Sequence, residues 1–275
     1  SRGYRRKLKG YALATELSLV EDIGDEPKQF KQKFPKAEVC VSENRVEGVY
    51  KLLQDEPDVH VILMDDGLQH RRINPGLKIL LTAYNDLFCD DMVLPAGNLR
   101  EPRSGYKRMQ ALIITKCPGD LKEYEKTELT KRLKLLPSQK LFFTTEVFEN
   151  MKPLFAEQEL KNMEDTSTCL FVSGIADNTS AVHHLKQKFS YVESMRFPDH
   201  YYFTEQDLIS VTNKAEKGVF IATEKDAMRL MEHKEYLLQN NASIFVLHLS
   251  IRFLFNEGNT FHHLVENYVQ SALPV

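Results

Sequence analysis

Cysteine is scarce: Cys40, Cys89, Cys117 and Cys169 stand far apart and form no CxxC pair. That spacing excludes a zinc ribbon or a disulfide framework and fits a reducing compartment. No run approaches the roughly 18 to 20 apolar residues of a membrane span, and the N-terminus has no signal-peptide apolar region. A cytoplasmic setting is therefore expected. An excess of positive charge is also lacking. The formal net charge of -3 argues against a nucleic-acid partner, since affinity for a phosphate backbone needs a basic face. Internal repeats and low-complexity segments are absent from the sequence as well.

What is present is an ordinary globular composition, 42% hydrophobic over 275 residues, enough for a core in two domains or one large α/β domain. Strand-like runs recur at 37–42, 59–64, 77–84, 111–116, 140–148, 169–174, 218–223 and 242–249. Helical patterns separate them, among them RVEGVYKLLQ, EKTELTKRLKLL, NTSAVHHLKQKF, TEQDLISVTNKAEK and NTFHHLVENYVQSAL. This alternation predicts βαβ units and a largely parallel sheet. The polar piece between KLFFTTEVF and CLFVSG is the best domain boundary. Thr204 with Asp207, Asn178 and Asn259 read as helix caps. Five basic residues in the first ten, Arg2, Arg5, Arg6, Lys7 and Lys9, read as a solvated arm or as a surface for phosphates or anionic lipid.

The most informative stretch is VHVILMDDGLQHRR, residues 59 to 72. Its apolar half reads as a strand buried on both faces, so Asp65 and Asp66 would emerge at the strand's carboxyl end, where open α/β sheets bind ligands. Adjacent carboxylates there suit a Mg²⁺ shared with phosphate oxygens, and they equally suit a plain Asp-Gly turn. Four further clusters sit at strand ends or loops. GDEP presents Asp25 and Glu26 in a turn made rigid by Gly24 and Pro27. LPAGNLREPRSGYKR carries Arg100, Glu101, Arg103, Lys107 and Arg108. FPDHYYF offers Asp199 and His200, and IATEKDAMR offers Thr223, Glu224, Lys225 and Asp226, with EKDA starting a helix.

Taken in order, SRGY, GDEP, DDGLQHRR, LPAGNLREP, FPDHYYFT and TEKDAMR closely resemble the tetraacyldisaccharide 4'-kinase (lipid A 4'-kinase) family over essentially the whole chain. The resemblance implies an α/β fold: a P-loop NTPase-like parallel-sheet domain with a second, smaller α/β domain. The expected division is 1–145 for the kinase-like core, 146–250 for the second domain, and 251–275 as a helical segment packing back on the core. It implies transfer of the γ-phosphate of ATP, with Mg²⁺, to the 4'-hydroxyl of a lipid A disaccharide precursor by a protein peripheral to the cytoplasmic face of the inner membrane. Carried over residue by residue, the pattern makes Asp25 the general base paired with His200. Asp65, Asp66 and Glu101 become metal ligands, and Arg100, Gln69 and His70 contacts to phosphate or substrate. Ser1, Arg2 and Tyr4 line the substrate pocket, and Thr223 and Lys225 contact the nucleotide.

The sequence departs from that pattern in one large respect: no GxxxxGK[ST] loop occurs in the 275 residues. The expectation is a longer kinase whose upstream segment carries this loop, because the downstream acidic, basic and His positions all remain. Ala83 and Gln110 stand where relatives are expected to carry Asp. Two other function classes compete with the kinase. One is a catalytically silent lipid-sugar binding protein, and the other is a Mg²⁺-dependent phosphoester hydrolase built on Asp65, Asp66 and Glu101.

Overall fold

A computed structural model describes residues 1–3, 6–158, 167–175, 177–215, 218–240 and 242–272. The chain divides into two compact units, Ser1–Gly67 with Phe148–Leu249 and Leu68–Val147 with Ser250–Val275. The first opens with β1 (Ala12–Leu13), α1 (Val20–Ile23), α2 (Asp25–Lys33), β2 (Cys40–Val41) and α3 (Arg45–Asp55). The second then contributes β3 (Ile79–Ala83), β4 (Ala111–Thr115), α4 (Glu123–Leu133) and β5 (Lys140–Phe148). The first resumes with β6 (Lys152–Pro153), β7 (Thr168–Ser173), α5 (Thr179–Lys188), β8 (Tyr191–Arg196) and α6 (Glu205–Ala215). It continues through β9 (Val219–Thr223), α7 (Glu224–Leu230), α8 (Lys234–Gln239) and β10 (Ile244–Leu247). β11 (Leu249–Phe253) and α9 (Gly258–Ala272) close the chain.

In the first unit the main sheet runs β6-β10-β9-β7-β8. The four strands β10, β9, β7 and β8 pair in parallel, while the short β6, with Pro153 in it, lies antiparallel at the edge where a missing N–H is tolerated. Continuous apolar runs such as Phe220–Ala222 are fully buried because helices cover both faces, which gives two core clusters, one around Phe220 and Leu208 and one around Phe171 and Leu185. The chain steps from β7 to β8 on one side and then crosses to β9 on the other. That reversal is a topological switch point, and the carboxyl ends of β7 and β9 beside it are the place where open α/β sheets put their ligands.

The second unit carries a sheet of order β11-β5-β4-β3, with β3, β4 and β5 parallel. Phe142 of β5 stands edge-on to Phe253 of β11 and Phe261 of α9, which ties the C-terminal helix to this sheet. Both units thus bear out the mixed α/β reading with parallel sheets.

Local expectations fared unevenly. Helices α3 to α6 and α9 fall on the periodic segments named above. Thr204 and Asp207 exchange hydrogen bonds, the Thr204 N–H donating to Asp207 Oδ2 at 2.8 Å and the Asp207 N–H to Thr204 Oγ1 at 3.2 Å. Asn178 does not cap α5 with its side chain; Asp177 Oδ1 accepts the Thr179 N–H at 3.0 Å, and Asn178 donates to Ser173 instead. The basic arm is not simply solvated either, since Arg6 is buried and donates to Glu43 at 2.8 Å.

The largest correction concerns 59–64, which is not a strand. Leu63 is 87% exposed, and no strand among the described residues pairs with this run. Apolar content allows a buried strand, but only a ladder partner for the backbone N–H and C=O groups makes one.

Candidate functional site

GDEP, expected as a rigid turn, is the start of a helix. Gly24 has φ +94°, a conformation that costs a glycine little, and its N–H closes α1 on Val20 O at 2.8 Å while α2 begins at the next residue. Pro27 lies in the first turn, where its missing N–H leaves no intrahelical bond unmade. Asp25 is thereby fixed at the head of α2, 3% exposed, with one oxygen accepting the Glu26 N–H at 2.9 Å. His200, 175 residues later in the loop after β8, brings Nδ1 to 2.9 and 3.0 Å from the two carboxylate oxygens. The His200 backbone sits in the left-handed region at φ +59°, which for a residue other than glycine points to a conformation the surroundings enforce.

The α7 helix forms the other wall. Its second residue, Lys225, places Nζ 3.0 Å from Asp199 Oδ1, 3.3 Å from Glu26 Oε1 and 3.3 Å from His200 Nε2. Burial opposes the charged ammonium, but the charge of Asp25 and the hydrogen bond to Asp199 outweigh it and push Lys225 above its ordinary range. Asp199 responds in the opposite sense: burial pushes it up, and the Lys225 bond and charge bring it below the usual carboxylate range.

Asp226 is fully buried. It accepts from the Gly174 N–H at 3.0 Å, Thr223 Oγ1 at 2.5 Å and Arg229 Nη2 at 2.8 Å. Burial pushes its carboxyl up, against the charge of Arg229 and the bonds from Thr223 and Gly174. Arg229, itself 2% exposed, also donates to Tyr201 O at 2.9 Å and lies 3.7 Å from Asp25 Oδ2.

Sequence reasoning assigned Asp25 and His200 to one another but missed Arg229 altogether. The available signal was the spacing of Lys225 and Arg229, four apart at a helix start and so on one face. Thr223, expected at the nucleotide, caps α7 by accepting the Asp226 N–H at 3.1 Å.

Among the described residues, Asp25, Glu26 and His200 form the one cluster of possible metal-ligand atoms within 4.8 Å of one another. The Lys225 ammonium already faces two of the three and disfavours a cation there. Asp65 and Asp66 offer a different donor set, adjacent exposed carboxylates with Ser1 Oγ donating to Asp65 Oδ2 at 3.2 Å. Hard oxygen donors of this kind suit Mg²⁺, which takes one or two carboxylates and completes its shell with water and phosphate. Arg2 is exposed, and Tyr4 lies outside the described residues.

The second unit holds a separate polar cluster. Arg100 Nη1 donates to Gln69 Oε1 at 2.7 Å, and the carbonyl of His70 accepts the Ile73 N–H at 3.0 Å. Glu101 accepts from Arg108 at 2.7 Å and Arg71 at 3.3 Å. The Arg108 bond, reinforced by Arg71, outweighs burial and holds the Glu101 carboxyl below its usual range. An open cleft of about 420 Å³ lies beside these groups, lined in part by Arg71, Lys107 and Arg108.

The family model described as LpxK, tetraacyldisaccharide-1-P 4'-kinase, matches residues 1–270. A tetraacyldisaccharide 4'-kinase of Bacteroides thetaiotaomicron is 40% identical over 286 aligned positions, spanning 98% of this chain and 75% of the relative. One from Flavobacterium johnsoniae is 43% identical over 239 positions, spanning 85% of this chain and 68% of the relative. The crystal structure of an "apo" form of LpxK from Aquifex aeolicus in complex with ATP superposes with a TM-score of 0.67 at 27% identity, covering 98% of this chain and 77% of that one.

Proposed function

This chain belongs to the tetraacyldisaccharide-1-P 4'-kinase family, and we propose that it transfers the γ-phosphoryl group of ATP to the 4'-hydroxyl of a tetraacyldisaccharide 1-phosphate, with Asp25 as the general base. The observation that carries the reading is the contact of Asp25 with His200 at 2.9 Å, made between a helix head and a strand-end loop.

Phosphoryl transfer asks a protein mainly for position, positive charge, and a group that accepts the hydroxyl proton. Asp25 takes that proton as the hydroxyl oxygen bonds to the γ-phosphorus and the bond from that phosphorus to the β–γ bridging oxygen breaks, releasing ADP. His200 holds the carboxylate in place through Nδ1, and the Arg229 guanidinium lies 3.7 Å from it. Arg100, steadied by Gln69, supplies positive charge toward the phosphates. Asp65 and Asp66 are the residues we propose for Mg²⁺, which when bound neutralises charge on phosphate oxygens. The lipid substrate makes peripheral contact with the cytoplasmic face of the inner membrane part of the same reading; no helix of the described residues is long and apolar enough to cross a membrane.

The test is Asp25→Ala in the active enzyme. Turnover is expected to fall by about 10²- to 10⁴-fold, the range for a general base, with ATP affinity by calorimetry nearly unchanged. An equal loss of ATP binding would show that Asp25 serves the nucleotide instead of the hydroxyl.

A further inference from the structure

We infer that Lys225 is a positioning residue that selects the tautomer of His200, keeping the ring proton on Nδ1 and aimed at Asp25. The inference rests on the reading of Asp25 as the base and replaces a nucleotide contact for Lys225 with a role inside the base's own machinery.

The donors and acceptors around Lys225 set the ring's proton. A lysine ammonium has three N–H donors and no acceptor. Lys225 Nζ has three acceptor sites within reach, Asp199 Oδ1 at 3.0 Å, Glu26 Oε1 at 3.3 Å and His200 Nε2 at 3.3 Å. The third contact is a hydrogen bond only if Nε2 carries a lone pair. The proton of the neutral ring is then on Nδ1, which faces both Asp25 oxygens at 2.9 and 3.0 Å and donates to them.

The opposite tautomer fails at both ends. It would aim the Nδ1 lone pair at a carboxylate and an Nε2–H at an ammonium. Asp199 Oδ2, 3.5 Å from Nε2, is a competing acceptor on that side, but the other oxygen of the same carboxylate already accepts from Lys225. A doubly protonated ring would set two cations 3.3 Å apart.

The helix that carries Lys225 also fixes the ring's placement. Arg229, one turn further along α7, donates to Tyr201 O and so holds the backbone just past His200, while Asp226 anchors the helix to Gly174. Among the described residues, the groups facing the pair include Lys225, Asp226 and Arg229 from α7, Glu26 from α2, and Asp199 with Tyr202 from the loop after β8. With Nδ1–H bound, Asp25 stays an oriented carboxylate able to take a proton. With a lone pair facing it, Asp25 would lose that hydrogen bond and the orientation it gives.

The measurement is long-range ¹H–¹⁵N correlation of the histidine rings in this chain at neutral pH, with Lys225→Met and Lys225→Arg beside it. In the unaltered protein His200 should show a protonated Nδ1 and a bare Nε2; a protonated Nε2 overturns the inference whatever the variants do. Lys225→Met should move proton density onto Nε2, toward Asp199, and Lys225→Arg should restore the original pattern. In kinase assays Lys225→Met should lower kcat on the order of 10²-fold with the KM for ATP unchanged. A raised KM for ATP with unchanged kcat would return Lys225 to the nucleotide and end the positioning role. The Asp25→Ala enzyme separates the two levels: if it is inactive while Lys225→Met keeps full kcat, Lys225 alone is misassigned, and if it is active the base reading itself falls.

Discussion

The buried cluster around Asp25 and the open cluster around Glu101 contain the same kinds of residue and behave differently. In the first, Asp25, Asp226 and Arg229 are each no more than 3% exposed, and their partners come from α2, β9, α7, the residue after β7 and the loop after β8. In the second, Glu101 is held by Arg71 and Arg108, and the Arg71 side chain is 75% exposed. Coulomb attraction is weakened several-fold by water at the second cluster and far less at the first, where an unpaired charge is correspondingly expensive. The lesson is that ion pairs at a sheet's topological switch point are part of the fold, whereas those beside an open cleft remain available to a ligand.

Removing Asp226 should give the largest effect on stability. Asp226→Ala leaves the buried Arg229 with only its longer, 3.7 Å ion-pair contact to Asp25 and frees the Gly174 N–H, so urea unfolding should show a loss of about 3–5 kcal/mol. A loss under about 1 kcal/mol would mean that water reaches the pair and the contrast between the clusters is false.

Next comes His200→Ala, expected to cost on the order of 10²-fold in turnover, equivalent to about 2.7 kcal/mol in the barrier. Retention of full activity across pH would remove His200 from the proposed acid–base pair.

Glu101→Gln should be smallest, under about 1 kcal/mol at neutral pH, because its partners are partly solvated. The sign with pH follows from the direction of its shift. A carboxyl held below its unfolded value contributes stability above the unfolded Glu value of about 4.3 and loses it as pH falls through the folded one. Thermal melts of the wild type and Glu101→Gln should therefore converge in acid. A gap that widens instead would show that Glu101 is protonated in the folded protein at neutral pH.

Several of these contrasts could be read before the structure and others could not. The run CLFVSG is apolar throughout and became a buried parallel strand, as did GVFIAT. VHVILM has the same character and became neither strand nor core. Composition records what a segment can bury, while pairing depends on a neighbour far away in the chain. Asp25 and His200 were linked through the GDEP and FPDH motifs, but nothing in either motif indicated that Lys225 would stand against the far side of the imidazole or that Arg229 would lie beneath the carboxylate. Those contacts depend on how α7 leaves β9 and packs beside α2.

By itself the sequence determined the alternation of strands and helices, the positions of most helices, the capping of α6 by Thr204 and Asp207, and the family to which the motifs point. These are local properties, set by periodicity and by side chains that satisfy backbone groups a few residues away. The tertiary structure alone decided which apolar runs found strand partners, where the buried charges meet, and which nitrogen of His200 faces Asp25. Such features join residues as much as 175 positions apart, and their energies exist only once the intervening chain has folded and excluded water from the site.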